Sequence, residues 1–233
     1  MPFARALYVE YSPAGSSRGF SSALELAGML GADLTVAGVA PFPPGRDAPR
    51  PLTPGADLRH RTLVRLWRRR LDDLTTRVER NGGPRIRLGA RVLEGGSDAV
   101  VREVERERHD LVVKVAGPER WPGGLDPEDR ALLRSCPCPL WILDPVQRGI
   151  LEVVVAAVDV SNGARPGLNT RIVRTAGSLA ARTGADLRVV HAWSVPGESI
   201  LASPLRGVSR PRLRNVVAAT RQERRRRLLR LLQ

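Results

Sequence analysis

The chain has 233 residues, of which 42% are hydrophobic, and a formal net charge of +14. This length suits one large or two small domains, and the apolar content is sufficient for a packed core. No run of about 18 apolar residues is present, and the first residues lack the apolar stretch of a secretory signal. Composition therefore argues against a transmembrane protein, and we expect a soluble, cytoplasmic one.

Strands and helices alternate through the first part of the chain. Strands are predicted over 6–11, 34–39, 86–93, 110–115 and 139–143, and helices over 20–30, 57–80, 97–108 and 128–134. Most of these strands are apolar on both faces, which is typical of a parallel sheet covered by helices. Right-handed crossovers then predict a doubly wound, five-stranded parallel sheet of the α/β class.

The long second helix carries an apolar stripe that predicts which residues enter the core. Its members lie at helical spacing: Leu63, Leu66, Trp67, Leu71, Leu74 and Val78. Trp67 and Trp141 are both predicted as core residues. Gly31 is predicted to end the first helix as a C-terminal cap, and Ser97 with Asp98 is predicted to cap the third.

One phrase of the sequence occurs twice. Residues 26–36 recur as residues 179–189, with Gly31 and Gly184 separated by 153 positions. A period of this length is the size of a whole small domain rather than of a solenoid repeat. We expect a complete first domain over 1–145 and a partial second domain over 150–233. The second would contain strands over 151–159 and 187–193, a helix over 169–182 and a helix from about 212.

Three further segments match one known family. They are the strand end and turn over 155–162, the segment His109–Lys114, and the segment Leu132–Trp141. Together with the repeated phrase, and in this order, they resemble the universal stress protein family, and its tandem members in particular. The resemblance implies a Rossmann-like fold of the adenine nucleotide alpha hydrolase type, a role in stress response, and no catalysis.

Many members of that family bind ATP through an Asp after strand one and a loop of pattern Gly-x2-Gly-x9-Gly-[Ser/Thr]. In this chain Asp126-Pro127 stands where Gly-[Ser/Thr] is expected. Proline has no N–H to donate, and an aspartate opposes a phosphate. The loop keeps three glycines, but their spacing differs from the pattern: Gly117, Gly123 and Gly124. At the position of the Asp after strand one, this chain has Glu10 or Tyr11. We expect a degenerate ATP site in the first domain, and no cofactor.

The second domain keeps part of the implied site. Asp159 follows its first strand, and Ala192 lies where the family contacts adenine through backbone atoms. Two interpretations stay open. Asp159 caps a turn, or it is half of an ATP or AMP site that a second subunit completes.

The basic residues concentrate at the end of the sequence. Residues 210–233 hold nine arginines against one acidic residue, Glu223, and the chain contains a single lysine, Lys114. Five arginines are candidate polyanion contacts: Arg221, Arg224, Arg225, Arg226 and Arg227. Such a stretch binds nucleic acid through phosphates in a salt-dependent way, or it is a solvated helix face.

Catalytic and metal chemistry find little support in the sequence. The three histidines, His60, His109 and His191, occur without a Gly-x-Ser-x-Gly elbow. Cys136 and Cys138 are too close in sequence for an unstrained disulfide. No further cysteine or histidine cluster is present to complete a metal site, so we expect reduced structural thiols.

These observations favour a non-catalytic stress-response protein that acts through protein contacts. The exposed edge of a partial sheet predicts a homodimer or another protein partner. A nucleotide-binding regulatory module using Asp159, and a nucleic-acid-binding protein using the arginine-rich helix, are the alternatives.

Overall fold

A computed structural model describes residues 3–15, 17–42, 56–81, 86–116, 125–144, 151–161, 166–195 and 210–233. The chain forms two compact units, Met1–Gly149 and Ile150–Gln233. The boundary expected between 145 and 150 lies outside the described residues, as do Gly117, Gly123 and Gly124 of the expected loop.

The first unit is a five-stranded parallel sheet with four helices. Its elements are β1 (Arg5–Glu10), α1 (Ser17–Leu30), β2 (Asp33–Ala40), α2 (Ala56–Arg80), β3 (Leu88–Glu94), α3 (Ser97–Glu107), β4 (Leu111–Val115), α4 (Pro127–Ser135) and β5 (Leu140–Leu143). The strand order is β3-β2-β1-β4-β5, and every neighbouring pair is parallel. The predicted doubly wound α/β fold is confirmed.

The core of the first unit lies around its central strands. Five of the six residues of β1 are buried, as are six of the eight of β2. Trp67 of α2 is fully buried, and its Nε1 donates to the Val39 carbonyl at 3.0 Å. A side-chain carbon at Gly38 would lie 2.3 Å from the Trp67 ring, so only glycine lets this helix approach the sheet so closely.

Three expectations about this unit are wrong. Trp141 is only half-buried because it lies on β5, which pairs with β4 alone among the described strands. Leu66 is 46% exposed, since it lies beside the apolar stripe of α2 rather than on it. The cap of α3 is Gly96, which supplies no side-chain hydrogen bond, and Ser97 is already the first helical residue.

The second unit contains a smaller sheet. Its described elements are β6 (Val153–Ala157), α5 (Pro166–Thr183), β7 (Asp186–Val190) and α6 (Arg210–Leu231). β6 and β7 are parallel, with Val153 opposite Asp186. The strands predicted over 151–159 and 187–193 are observed over Val153–Ala157 and Asp186–Val190, and both are shorter than expected.

The repeated phrase adopts the same turn in both units. Gly31 and Gly184 take left-handed backbone angles, with φ of 66° and 70°. The amide of Ala32 donates to the Ala27 carbonyl at 3.0 Å, and the amide of Ala185 donates to the Ala180 carbonyl at 3.1 Å. This hydrogen bond is that of a Schellman cap, so the C-terminal cap predicted for Gly31 is confirmed.

Candidate functional site

The candidate site of the first unit lies where the strand order reverses. β1 has β2 on one side and β4 on the other, so the two crossovers run to opposite faces of the sheet. Ligands of open α/β sheets bind in the crevice at the carboxyl ends of such strands. β1 ends at Glu10, β4 carries Lys114 near its end, and α4 begins at Pro127.

Lys114 is the centre of a charged group at this edge of the sheet. Its Nζ lies 2.5 Å from Asp129 Oδ1 and 3.0 Å from Asp126 Oδ2. Lys114 is 4% exposed and Asp129 is 1% exposed. We call these three residues the Lys114 cluster. Buried charges are stable only when paired in this way, so the cluster is an obligatory unit of the site.

Asp126 and Asp129 also cap the N-terminus of α4. Asp126 Oδ1 accepts a hydrogen bond from the Asp129 amide at 2.6 Å, and Asp129 Oδ2 accepts one from the Asp126 amide at 3.4 Å. Pro127 takes the first helical position, where its missing N–H costs nothing. The helix N-terminus, which in other proteins can hold a phosphate, is thus occupied by carboxylates of the chain itself.

The protonation of Asp126 follows from these contacts. Partial burial raises the pKa of its carboxyl group, but the Asp129 amide and the Lys114 ammonium outweigh burial, and the net pKa is lowered. Asp126 is therefore ionised at neutral pH. A phosphate at this position would meet a fixed negative charge.

Glu10, the last residue of β1, is buried and paired with Tyr8 of the same strand. The Tyr8 hydroxyl donates to Glu10 Oε1 at 3.3 Å, and Glu10 is 8% exposed. Burial raises the pKa of the Glu10 carboxyl group, while the nearby Arg70 charge opposes this rise. A side-chain carbon at Gly15 would lie 2.2 Å from Glu10 Oε1, so the turn after β1 packs directly on this carboxylate.

Tyr11 lies between these groups. Lys114 Nζ is 5.3 Å from the centre of its ring, within cation–π range. Burial, with the charges of Glu128 and Asp126, raises the pKa of the Tyr11 hydroxyl, which therefore stays protonated. Glu10 and Tyr11, which were expected to replace the adenosine-side Asp, are both placed at this edge.

The second unit presents Asp159 at the end of β6. Asp159 is exposed, and its Oδ1 accepts a hydrogen bond from the Ser161 amide at 2.8 Å. Hydrogen bonds from the Ser161 side chain and then from its amide, with weaker contributions from the charges of His191 and Arg224, lower the pKa of Asp159. Asn169 of α5 holds the same turn, because its side chain bonds both the amide and the carbonyl of Asp159.

Ala192 lies two residues beyond β7, the neighbour of β6. It is exposed, and the His191 ring before it bonds to the Val158 carbonyl at 2.9 Å. Asp159 and Ala192 therefore stand at the carboxyl ends of adjacent strands. The contacts of Asp159 are those of a turn-forming residue.

The five arginines predicted to contact polyanions lie on α6 and differ in their surroundings. Arg221, Arg225 and Arg226 are exposed. Arg224 is half-buried and its Nη1 donates to the Val160 carbonyl at 3.0 Å, while Arg227 pairs with Glu223 at 2.7 Å. Of these five arginines, only Arg221, Arg225 and Arg226 expose most of the side chain to solvent.

Two site residues were missed by the sequence interpretation. Lys114 was seen only as part of a strand, and Asp129 was not singled out. Both left a signal in the sequence: Lys114 is the single lysine and lies in an apolar strand, and Asp126-x-x-Asp129 is a variant of the capping-box spacing.

The described residues limit other chemistry. Within them no group of three or more His, Cys, Asp or Glu side chains is placed to hold a metal ion. Among the described helices, none combines the length and apolar character that a bilayer crossing needs.

Comparison with known proteins gives one match in sequence. Universal stress protein E of Photorhabdus laumondii is 32% identical over 104 residues, which cover 42% of this chain and 33% of that protein. Over this segment the chain is similar to a universal stress protein. The match spans about a third of the length of this relative, and no protein-family model matches the chain.

Solved structures give further matches, and the one with the higher TM-score agrees with the fold. A Pseudomonas aeruginosa UCBPP-PA14 protein, assigned provisionally to that family, matches with a TM-score of 0.59 at 20% identity, over 96% of this chain and 71% of its own. A family member from Burkholderia pseudomallei matches 61% of this chain and 96% of its own, with 22% identity and a TM-score of 0.46. At these identities the likeness concerns the fold alone.

Proposed function

We propose that this universal stress protein-like chain is not a catalyst and acts through protein contacts in a stress response. We further propose that its first unit has lost nucleotide binding. The observation that carries the second statement is the position of Asp126, whose carboxylate caps α4 and pairs with Lys114.

Electrostatics supports the loss of nucleotide binding. Helix N-terminal amides and a free cation both stabilise a bound phosphate. At α4 the Asp129 amide and the Lys114 ammonium are already bonded to carboxylates, and Pro127 has no N–H. A triphosphate would have to displace Asp126 and would still lie close to the buried charge of Asp129.

Titration calorimetry with ATP and Mg²⁺ tests this proposal. We expect no saturable heat from the wild-type protein. Asp126→Gly removes the internal carboxylate and frees the Asp129 amide, while Lys114 keeps Asp129 as its partner. This variant should therefore gain weak affinity for phosphate groups. Micromolar binding of ATP that persists in Asp159→Ala would contradict the proposal. Binding by the wild type that disappears in Asp159→Ala would instead favour a nucleotide-binding module in the second unit.

The second sheet supports a role in protein contacts. Within the described residues β6 pairs with β7 alone, whereas β1 pairs with strands on both sides. Val155 of β6 is 58% exposed, and Val153 is 37% exposed. Apolar strands with a free edge associate readily, and we propose a homodimer that pairs this edge.

Sedimentation equilibrium tests the homodimer. We expect a mass about twice the 25.4 kDa of the chain. Val155→Lys should shift the protein to monomer, while Leu66→Lys, a matched change at an exposed leucine of α2, should not. A wild-type protein that stays monomeric at high concentration would exclude this dimer.

We also infer that the two units form a tandem of related domains, over 1–145 and 150–233. The repeated Schellman turns at Gly31 and Gly184 support this inference. So does the Pseudomonas structure, because its likeness extends over 96% of this chain.

The exposed arginines of α6 favour a second candidate function, which is contact with nucleic acid. Replacing Arg221, Arg225 and Arg226 by serine should reduce retention on DNA and flatten its dependence on salt. The matched control replaces Arg65, Arg68 and Arg69, which are exposed on α2. An equal effect of both triple variants would show a general charge effect and would exclude α6 as a specific contact.

A further inference from the structure

The two cysteines of the chain meet at the end of α4. Cys136 is the C-terminal cap of that helix, and Cys138 precedes β5. Their Sγ atoms are 3.6 Å apart, and neither is in a disulfide. Both side chains are half-buried against the edge of the apolar core, so solvent reaches them.

Either sulfur can be the donor in this contact. The hydrogen bond that Cys136 shares with Cys138 lowers the pKa of Cys136 to about 7. The same shared hydrogen bond, then burial and the charges of Cys136 and Asp110, raise the pKa of Cys138. Asp110 is fixed at this place, since it accepts hydrogen bonds from the amides of Ala4 and Arg5.

We propose that Cys136 and Cys138 form a reversible oxidation site for hydroperoxides. Cys136 is the attacking thiolate and Cys138 is the resolving thiol. The proposal concerns a stoichiometric modification, and it does not depend on nucleotide binding or on the dimer.

The reaction has two steps. The Cys136 thiolate attacks one peroxide oxygen, an S–O bond forms, the O–O bond breaks, and the leaving alkoxide or hydroxide takes a proton from water. Sulfur is thereby oxidised by two electrons to a sulfenic acid and the peroxide is reduced. Cys138 Sγ then attacks Cys136 Sγ, the S–S bond forms, the S–O bond breaks, and the departing hydroxide takes the Cys138 proton to leave as water.

The short sequence spacing of the two cysteines favours a disulfide that is easily reduced. A disulfide between residues two apart closes a strained ring, and strained, accessible disulfides are the more easily reduced ones. A cellular dithiol can therefore return the pair to the reduced state. The expectation of purely structural thiols did not consider this role, because the sequence alone does not show that the two sulfur atoms touch.

Mass spectrometry after mild peroxide treatment tests the proposal. We expect the wild-type chain to lose two hydrogen atoms without forming a covalent dimer, and dithiothreitol should restore them. Cys138→Ser should stop at the sulfenic acid, which dimedone traps at Cys136. Dimedone should label the Cys136→Ser variant much less. A disulfide-linked dimer, or equal dimedone labelling of the two single variants, would overturn the assignment.

The pH dependence of alkylation gives a second measurement that does not need peroxide. At pH 7 Cys136 should react with iodoacetamide about threefold faster than an ordinary cysteine, since a larger thiolate fraction outweighs its lower nucleophilicity. Cys138→Ala should move the midpoint of the rate profile upward, towards about 8.5. An identical midpoint in the wild type and this variant would contradict the proposed hydrogen bond.

Discussion

The turn that enters β2 and the turn that enters β7 have the same backbone hydrogen bonds but different burial. Five of the six residues of β1, beside β2, are buried, while only Ala156 of β6, beside β7, is buried. β2 is mostly buried, and β7 has no buried residue. The repeated phrase therefore determines the local turn, and the neighbouring strands and helices determine whether apolar residues form a core.

The two units should differ most in how much the free energy of unfolding falls when a tryptophan is replaced by alanine. Trp67→Ala removes a fully buried ring and its hydrogen bond to Val39, so the free energy of unfolding should fall by about 3–5 kcal/mol. Trp193→Ala is the matched change at a residue that is 36% exposed, and its cost should stay below about 1 kcal/mol. Urea unfolding followed by far-ultraviolet circular dichroism measures both. Similar costs for the two variants would contradict the comparison.

Breaking the Lys114 cluster should be nearly as severe. Lys114→Met leaves two carboxylates without their cation, one of them buried, and should cost about 3 kcal/mol. Arg225→Met, on the exposed face of α6, should cost almost nothing.

A triple variant separates charge from packing in the same unfolding experiment. Combining Lys114→Met with Asp126→Asn and Asp129→Asn neutralises the whole cluster, and it should recover much of the stability lost by Lys114→Met. If the triple variant were less stable than the single one, the loss would come from the shape of Lys114 rather than from its charge.

A smaller effect is expected at the turn after β6. Asn169 is 6% exposed and bonds both the amide and the carbonyl of Asp159. Asn169→Ala should cost about 1–2 kcal/mol locally, which corresponds to about fivefold to thirtyfold faster hydrogen exchange of the Asp159 amide. The Ala32 amide of the first unit should keep its rate. Faster exchange at both amides would mean that the turn is not local to the second unit.

The smallest expected effect is the dependence of stability on pH. The pKa of Asp126 is lowered in the folded chain, so its stabilising contribution is complete above the ordinary aspartate pKa of about 3.9 and is lost as pH falls through the lower, folded-state value. Asp126→Asn keeps a capping side chain but lacks the charge, and its unfolding midpoint should fall less steeply with acid.

Glu10 affects the pH dependence of stability in the opposite direction to Asp126. Its pKa is raised by burial, so its contribution is present at low pH and is lost as pH rises through the folded-state value. Glu10→Gln removes this opposing contribution, and stability should then fall more steeply with acid than in the wild type. A shallower fall would show that Glu10 is not held in the predicted state.

Much of the fold could be predicted because periodicity and turn residues act locally. The strand–helix alternation, the glycine caps and the burial of Trp67 follow from short stretches of sequence. Trp141 was mispredicted because its exposure depends on the absence of a further neighbour beside β5 among the described strands. Burial at an edge depends on distant residues, and a local pattern does not encode it.

The candidate site was only partly predictable for the same reason. Asp126 and Pro127 were predicted to oppose phosphate binding from the family resemblance together with their chemistry. The partner that makes Asp126 part of a stable site, Lys114, lies on β4, and it reaches α4 only because the sheet brings both to one edge. The contact between Cys136 and Cys138 likewise needed the geometry at the end of α4.

Nuclear magnetic resonance of the Asp129 amide tests most directly whether the chain occupies its own phosphate position. This amide donates to Asp126 at 2.6 Å, so its chemical shift reports on what holds the N-terminus of α4. In a titration of the wild-type protein with ATP into the millimolar range, the Asp129 resonance should not move. A saturable shift of that resonance would show that nucleotide displaces Asp126, and it would contradict the proposed loss of nucleotide binding.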